Sequence, residues 1–290
     1  ALGFAAIILI GALLLMLPIS SKERVVTPFL TTLFTATSAT CVTGLTLVNT
    51  GGYFSIFGQF VIITLIQFGG LGFMTILCFM FFVSNKQIGL KNRLMIAQTM
   101  GTESIAGVVK LAKHVLVITA FVEGIGAVLL ALRFIPKYGF LKGLWFSIFH
   151  SISAFCNAGF DIIGDGLSLY SYRYDALVLL TIALLIIIGG LGFIVWEDIL
   201  KNKHWKLMSM YSRIVLTATA ICLVIGTAGY FLFEYNNPET MGDMTFGGKL
   251  ISSFFQSTTT RTAGYDARTS NSSRRSRTQY PTCPPHWRMW

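Results

Sequence analysis

Residues Ser38–Leu45 read SATCVTGL, and two later stretches repeat the design: SAFCNAGF at Ser153–Phe160 and TTTRTAGY at Thr258–Tyr265. The three align without a gap. Each closes on a glycine preceded by a small residue, as Thr43-Gly44, Ala158-Gly159 and Ala263-Gly264. Each also follows a short, half-apolar, hydroxyl-rich run with phenylalanine at a similar place: Phe34, Phe149 and Phe255. Repetition at a spacing of roughly a hundred residues predicts one structural module that has been copied.

The surroundings decide what kind of module it is. Of the 290 residues 54% are hydrophobic and only 12% charged, about half the charged share of a soluble domain, and the mean hydropathy is +0.69. The apolar residues fall in long runs, the pattern of membrane spans. Five are expected, at Ala1–Pro18, Phe57–Val83, His114–Ile135, Ala176–Val195 and Ile214–Phe233, each long enough for a bilayer core at about 1.5 Å per residue. Ala1–Leu17 lacks the basic start of a signal peptide, and its end at Pro18 suits a helix leaving a membrane. The chain opens in apolar sequence, as if its own start lay upstream. The repeated stretches between spans are too short to cross twice as helices. A short helix that enters the bilayer and returns to the same face is the economical reading, and irregular backbone at that depth must be buried in protein or line water.

The formal net charge of +10 reads as a topology signal, and no basic patch on a foldable soluble segment invites nucleic acid. Lys86, Lys91, Arg93, Lys110 and Lys113 follow the second span, and Lys201, Lys203, Lys206 and Arg213 follow the fourth, so these loops are expected in the cytoplasm. Asp161, Asp165, Asp175, Glu234, Glu239 and Asp243 then lie outside. The expected organisation is a helix–pore-loop–helix module at 1–84, a cytoplasmic loop at 85–113, a second module at 114–197, a second loop at 198–211, a partial third module at 212–266 and an atypical polar, basic tail at 267–290.

A cation crossing a membrane exchanges its hydration shell for protein oxygens, and a ring of backbone carbonyls serves well. Turning those carbonyls to one axis needs unusual dihedrals, often with φ > 0, which glycine adopts at least cost. The short helix before each loop also aims its partly negative C-terminus at the cation. The expected filter therefore comprises Cys41, Val42, Thr43 and Gly44; Cys156, Asn157, Ala158 and Gly159; and Arg261, Thr262, Ala263 and Gly264, acting through their carbonyls. Asp161 and Asp266 each sit two residues beyond a filter glycine. They either attract cations to the outer mouth or pin the loop by local hydrogen bonds. Arg261 would repel a cation, so its side chain is expected to turn back into protein.

A second motif, Gly-Gly-Leu-Gly-Phe, occurs at Gly69–Phe73 and Gly189–Phe193. Small residues there let helices approach closely or permit a bend. Glu123 within the third span is read as a buried polar contact, a subunit contact or an ion-coupling group. Cys78 and Cys222 are read as small core hydrophobes. His114, His150 and His204 share no ligand spacing, and the five cysteines form neither zinc nor CxxC patterns. No Ser-His-Asp order, HExxH or phosphate loop appears, so an intramembrane enzyme lacks its residues.

With TATSATCVTGL, SISAFCNAGFD, STTTRTAGY and two GGLGF segments, the chain resembles the Trk/Ktr/HKT superfamily of potassium transporters, most closely its KtrB-type membrane subunits. The resemblance covers Ala1 to about Asp266. It implies an all-α polytopic membrane protein of repeated helix–re-entrant pore loop–helix modules, four to a subunit, around a central potassium pore. It implies potassium uptake by channel-like conduction in a bacterial plasma membrane, no covalently bound cofactor, potassium as the transported ion and sodium as a stimulant. It also implies a homodimer on a cytosolic ring of RCK-type, nucleotide-binding regulatory subunits. After Asp266 the family pattern gives way to ARTSNSSRRSRTQYPTCPPHWRMW, which is polar and basic and does not read as a span. The tail reads as out of frame or foreign. The alternative is a truncated, non-conducting membrane fragment or scaffold.

Overall fold

A computed structural model describes residues 2–72, 108–163, 168–202, 204–235, 237, 241 and 244–265. These residues are helical with short connections and contain no strand; Ser21 and Phe54 form one isolated bridge. The first unit holds α1 (Leu2–Met16), α2 (Phe29–Thr40), the single turn α3 (Thr50–Tyr53) and α4 (Ile56–Leu71). The second holds α5 (Val108–Tyr138), α6 (Phe140–Phe155), α7 (Ala176–Gly190) and α8 (Phe193–Lys201). The third holds α9 (Met210–Glu234) and α10 (Phe246–Thr262).

Each re-entrant helix is packed against long neighbours. α2 lies against α1 and α4, α6 against α5 and α7, and α10 against α9 and α7. The hydroxyl-rich composition of these short helices suits that buried setting. Thr35 and Thr37 on α2 donate to the carbonyls of Thr31 and Leu33 at 2.8 and 2.7 Å, and Thr258 and Thr260 on α10 donate to Phe254 and Gln256 at 2.9 Å each. Bonding back to i−4 satisfies the hydroxyl inside its own helix. Helix starts that leave the apolar run are capped by side chains: Ser55 accepts from Gly58 N, Asp175 from Leu177 N and Val178 N, and Thr245 from Gly248 N.

The outer faces are apolar. Along α9 only Ser212 is buried, while Leu232 and Phe233 are 74% and 89% exposed. Such a face belongs against lipid, and this is a multi-pass membrane protein. Among the described residues His114–Tyr138 and Met210–Glu234 are each long and apolar enough to cross a bilayer. Gly3–Met16 and Ile56–Leu71 are shorter apolar helices.

Three expectations need correction. The fourth span does not run straight to Val195: α7 stops at Gly190, and the chain bends by 92° into α8. α4 ends at Leu71, with Gly72 at φ +78° closing it; the rest of the expected second span, to Val83, lies outside the described residues. Cys222 is exposed on the lipid-facing α9 rather than packed in a core, and Cys78 lies outside the described residues. α5 is also longer at both ends than the apolar run suggests, starting at Val108 and passing Pro136 before the turn at Gly139.

Candidate functional site

α2 and α6 end alike. The Thr43 amide reaches back to Ser38 O at 2.9 Å and the Val42 amide to Ala39 O at 3.3 Å. The Ala158 amide reaches Ser153 O at 2.8 Å and the Asn157 amide Ala154 O at 3.0 Å. This nested pair of bonds is the Schellman ending. It puts Val42 at φ +57° and Asn157 at φ +60°. Asparagine tolerates that region; a β-branched valine does not unless its surroundings hold it. α10 ends differently: it runs on through Thr262, Ala263 keeps φ −91°, and the amides of Ala263 and Gly264 both bond to Thr259 O. By either route the three glycines arrive at the same left-handed backbone, with φ +75° at Gly44, +68° at Gly159 and +74° at Gly264.

The three loops meet. A methyl group on Gly44 would sit 2.5 Å from Ala158 O and 3.6 Å from Ala263 O, and one on Gly159 would strike Ala263 O directly. Each of these glycines thus faces the backbone carbonyl of the next loop. Gly264 has no described atom within 4 Å of the corresponding position. Side chains tie the loops together. Thr262 Oγ1 donates to Asn157 Oδ1 at 3.0 Å, and the Tyr265 hydroxyl lies 2.7 Å from Ser153 Oγ and 3.1 Å from Phe160 O. Within loops, Ser153 Oγ donates to Phe160 O at 3.0 Å and Thr259 Oγ1 to Tyr265 O at 2.8 Å. Cys41 is exposed and Cys156 buried.

The Gly-Gly-Leu-Gly stretches fit around this ring in register. A Cβ on Gly69 would strike Thr40 O, at the end of its own unit's re-entrant helix, and one on Gly189 would strike Phe155 O likewise. The next glycine faces the following loop: a Cβ on Gly70 would lie 2.5 Å from Cys156 Sγ, and one on Gly190 would lie 2.5 Å from an Arg261 guanidinium nitrogen. Of the third glycines, Gly72 at φ +78° caps the end of α4, and Gly192 at φ +87° stands at the bend and caps the start of α8. Close approach and a break are therefore both present, at different glycines of one motif.

The charged candidates are placed as follows. Asp161 Oδ1 accepts from the Ile163 amide at 2.9 Å and lies 2.8 Å from His150 Nε2; Asp266 lies outside the described residues. The Arg261 guanidinium turns back from the loop onto Gly190, where the last carbonyls of α7 carry partial negative charge. Its Nη1 is buried without a hydrogen-bond partner among the described residues. Glu123, 8% exposed on α5, accepts from Gln67 Nε2 on both carboxylate oxygens at 3.1 and 3.2 Å, and the Cys156 thiol approaches Gln67 Oε1 at 3.6 Å. Sequence reading passed over Gln67 and His150 in these roles, because their partners are distant in sequence or sit across a chain reversal, and it did not foresee the left-handed backbone at Val42 and Asn157.

The family of cation transport proteins called TrkH matches residues 4–273. The potassium/sodium uptake protein NtpJ of Enterococcus hirae is 45% identical over 265 residues, which is 91% of this chain and 58% of that protein. Ktr system potassium uptake protein B of Bacillus subtilis is 44% identical over 267 residues, 92% of this chain and 59% of that one. The protein of the same description from Vibrio alginolyticus is 38% identical over 270 residues, 92% of this chain and 58% of that protein. The chain thus spans a little under three fifths of the length of these relatives.

Proposed function

Since the chain belongs to the TrkH family of cation transport proteins, we propose that it carries three of the loops that select potassium in an uptake system. The ion passes between the carbonyls of Cys41–Gly44, Cys156–Gly159 and Arg261–Gly264, down its electrochemical gradient. The observation that carries this reading is the meeting of three glycines with one backbone conformation, two of them facing a neighbouring loop's carbonyl. Carbonyls are dipoles without full charge, so they replace hydration and still release the ion. The ends of α2, α6 and α10 all converge here, and their partial negative charge favours a cation over an anion. The Arg261 side chain, drawn back onto α7, leaves its carbonyl free to serve.

A fourth loop, implied by the family resemblance, would face Gly264. Pairing into a homodimer, docking on a ring of nucleotide-binding regulatory subunits and stimulation by sodium belong to the same proposal. They rest on the family resemblance; the relatives' descriptions as Ktr system or potassium/sodium uptake proteins favour only a system of several components that handles these ions. The alternative reading is that this chain alone inserts without conducting.

Rubidium flux tests both. It is measured in vesicles with the full chain, and in cells with a chimera in which residues 4–265 replace the matching region of the Enterococcus hirae relative. The proposal expects the chimera to take up rubidium and to lose uptake on Gly44→Asp or Gly159→Asp. Uptake and selectivity unchanged by both substitutions would refute the filter assignment. A conducting chimera beside a silent full chain would support the second reading for the chain alone.

A further inference from the structure

His150 lies on α6 with no exposed surface. Its ring is walled by Phe134, Phe149 and Tyr265, with centroids at 5.6, 6.0 and 6.5 Å. Both nitrogens are engaged, Nδ1 with Phe146 O at 2.7 Å and Nε2 with Asp161 Oδ1 at 2.8 Å.

Asp161 is tied down further by accepting from the Ile163 amide, and its side chain is 12% exposed. Its Oδ1 is therefore engaged within the loop and not open to the outer mouth. What it does is mechanical: it joins the segment just beyond Gly159 to the helix just before Cys156, closing the second loop from behind. The clamp extends to the third loop, since Tyr265 stacks on the His150 ring and its hydroxyl meets Ser153 Oγ and Phe160 O.

We propose that His150 and Asp161 act as one positioning unit that fixes the carbonyls of the second loop, so that discrimination between ions, rather than attraction of ions, depends on both. The proposal rests on the filter reading above. Selectivity needs the carbonyls held at a set spacing and number, and a loop released from behind widens or rotates.

The test uses the full chain and the chimera, carrying Asp161→Asn, His150→Phe or both, with inserted protein quantified for each. Rubidium uptake, its competition by sodium and the ionic-strength dependence of the apparent KM are measured. Each single variant is expected to lower rubidium-over-sodium discrimination about tenfold, in the middle of the range for coupled contacting residues. The double variant should lose no more than either single, and the salt dependence of KM should stay as in the parent. The proposal is overturned if Asp161→Asn raises KM only at low ionic strength with discrimination intact, if His150→Phe leaves discrimination unaltered, or if the two losses multiply. Asp161→Asn alters little volume and carries the test alone should His150→Phe fail to insert. Gly159→Asp is run beside them. If it leaves uptake and discrimination unchanged, the filter reading fails; if it abolishes uptake while the His150 and Asp161 variants behave as the parent, only the positioning unit fails.

Discussion

Replacing each loop glycine by alanine separates two costs that glycine avoids at these positions. The three share nearly the same dihedral, φ +75°, +68° and +74°, so the penalty for an L-residue in left-handed backbone is common to all, about 1–2 kcal/mol. The steric cost differs. Gly264→Ala meets no described atom within 4 Å. Gly44→Ala places its methyl 2.5 Å from Ala158 O, against a floor of 3.0 Å for real Cβ contacts. Gly159→Ala drives the methyl deeper still, onto Ala263 O. Backbone on both sides leaves little room to yield, and overpacking of this kind adds about 1–3 kcal/mol. In the chain itself, solubilised and heated, the loss of thermal midpoint should rise in the order Gly264→Ala, Gly44→Ala, Gly159→Ala. The first should lose only a few degrees, at about 2–4 °C per kcal/mol, and the last at least about twice as much. The chimera turns this into a test for a fourth loop, because a carbonyl seated against Gly264 would raise its penalty towards that of Gly159. Equal losses at all three sites in the chain, or the largest loss at Gly264, would refute the reasoning.

Further substitutions probe the supports of the site. Gly189→Ala and Gly69→Ala should each destabilise the solubilised chain by roughly 1–3 kcal/mol, since both methyls would strike a helix-end carbonyl, whereas Gly124→Ala, with nothing within 4 Å, should be neutral or slightly stabilising in the same melt. Glu123→Gln keeps an acceptor for Gln67 Nε2 and should leave the midpoint nearly unchanged. Glu123→Leu leaves that donor unpaired and should cost about 1–3 kcal/mol. Asp198→Ala removes the acceptor held by Ser209 N and Oγ, each at 2.8 Å; hydrogen exchange should then show faster exchange at the Ser209 and Ser212 amides, with rubidium uptake by the chimera unchanged.

Much of this architecture is legible in the sequence, and the boundary is physical. The three re-entrant units can be read because a glycine that must take positive φ stands at one register in each, beside a helix too short to span. The helix break at Gly192 was harder to read. Glycine serves both close packing and bending, and only the geometry shows that neighbours in one motif divide the two tasks. The left-handed Val42 was invisible, because local preference argues against it and the surrounding packing overrides that preference. The His150–Asp161 pair hid for another reason. Eleven residues along a helix would separate the two by about 16 Å, and they meet only because the chain reverses at Gly159. Gln67 and Glu123 come together from different units and leave no pattern along the chain.

The doubled glycines of α4 and α7 act like mortar laid across two bricks, one residue pressed to its own unit and the next to the unit that follows. No unit in such a wall can be lifted out without baring its neighbour's loop. The assembly should accordingly melt in one sharp step, and which unit sits against which follows their order along the chain.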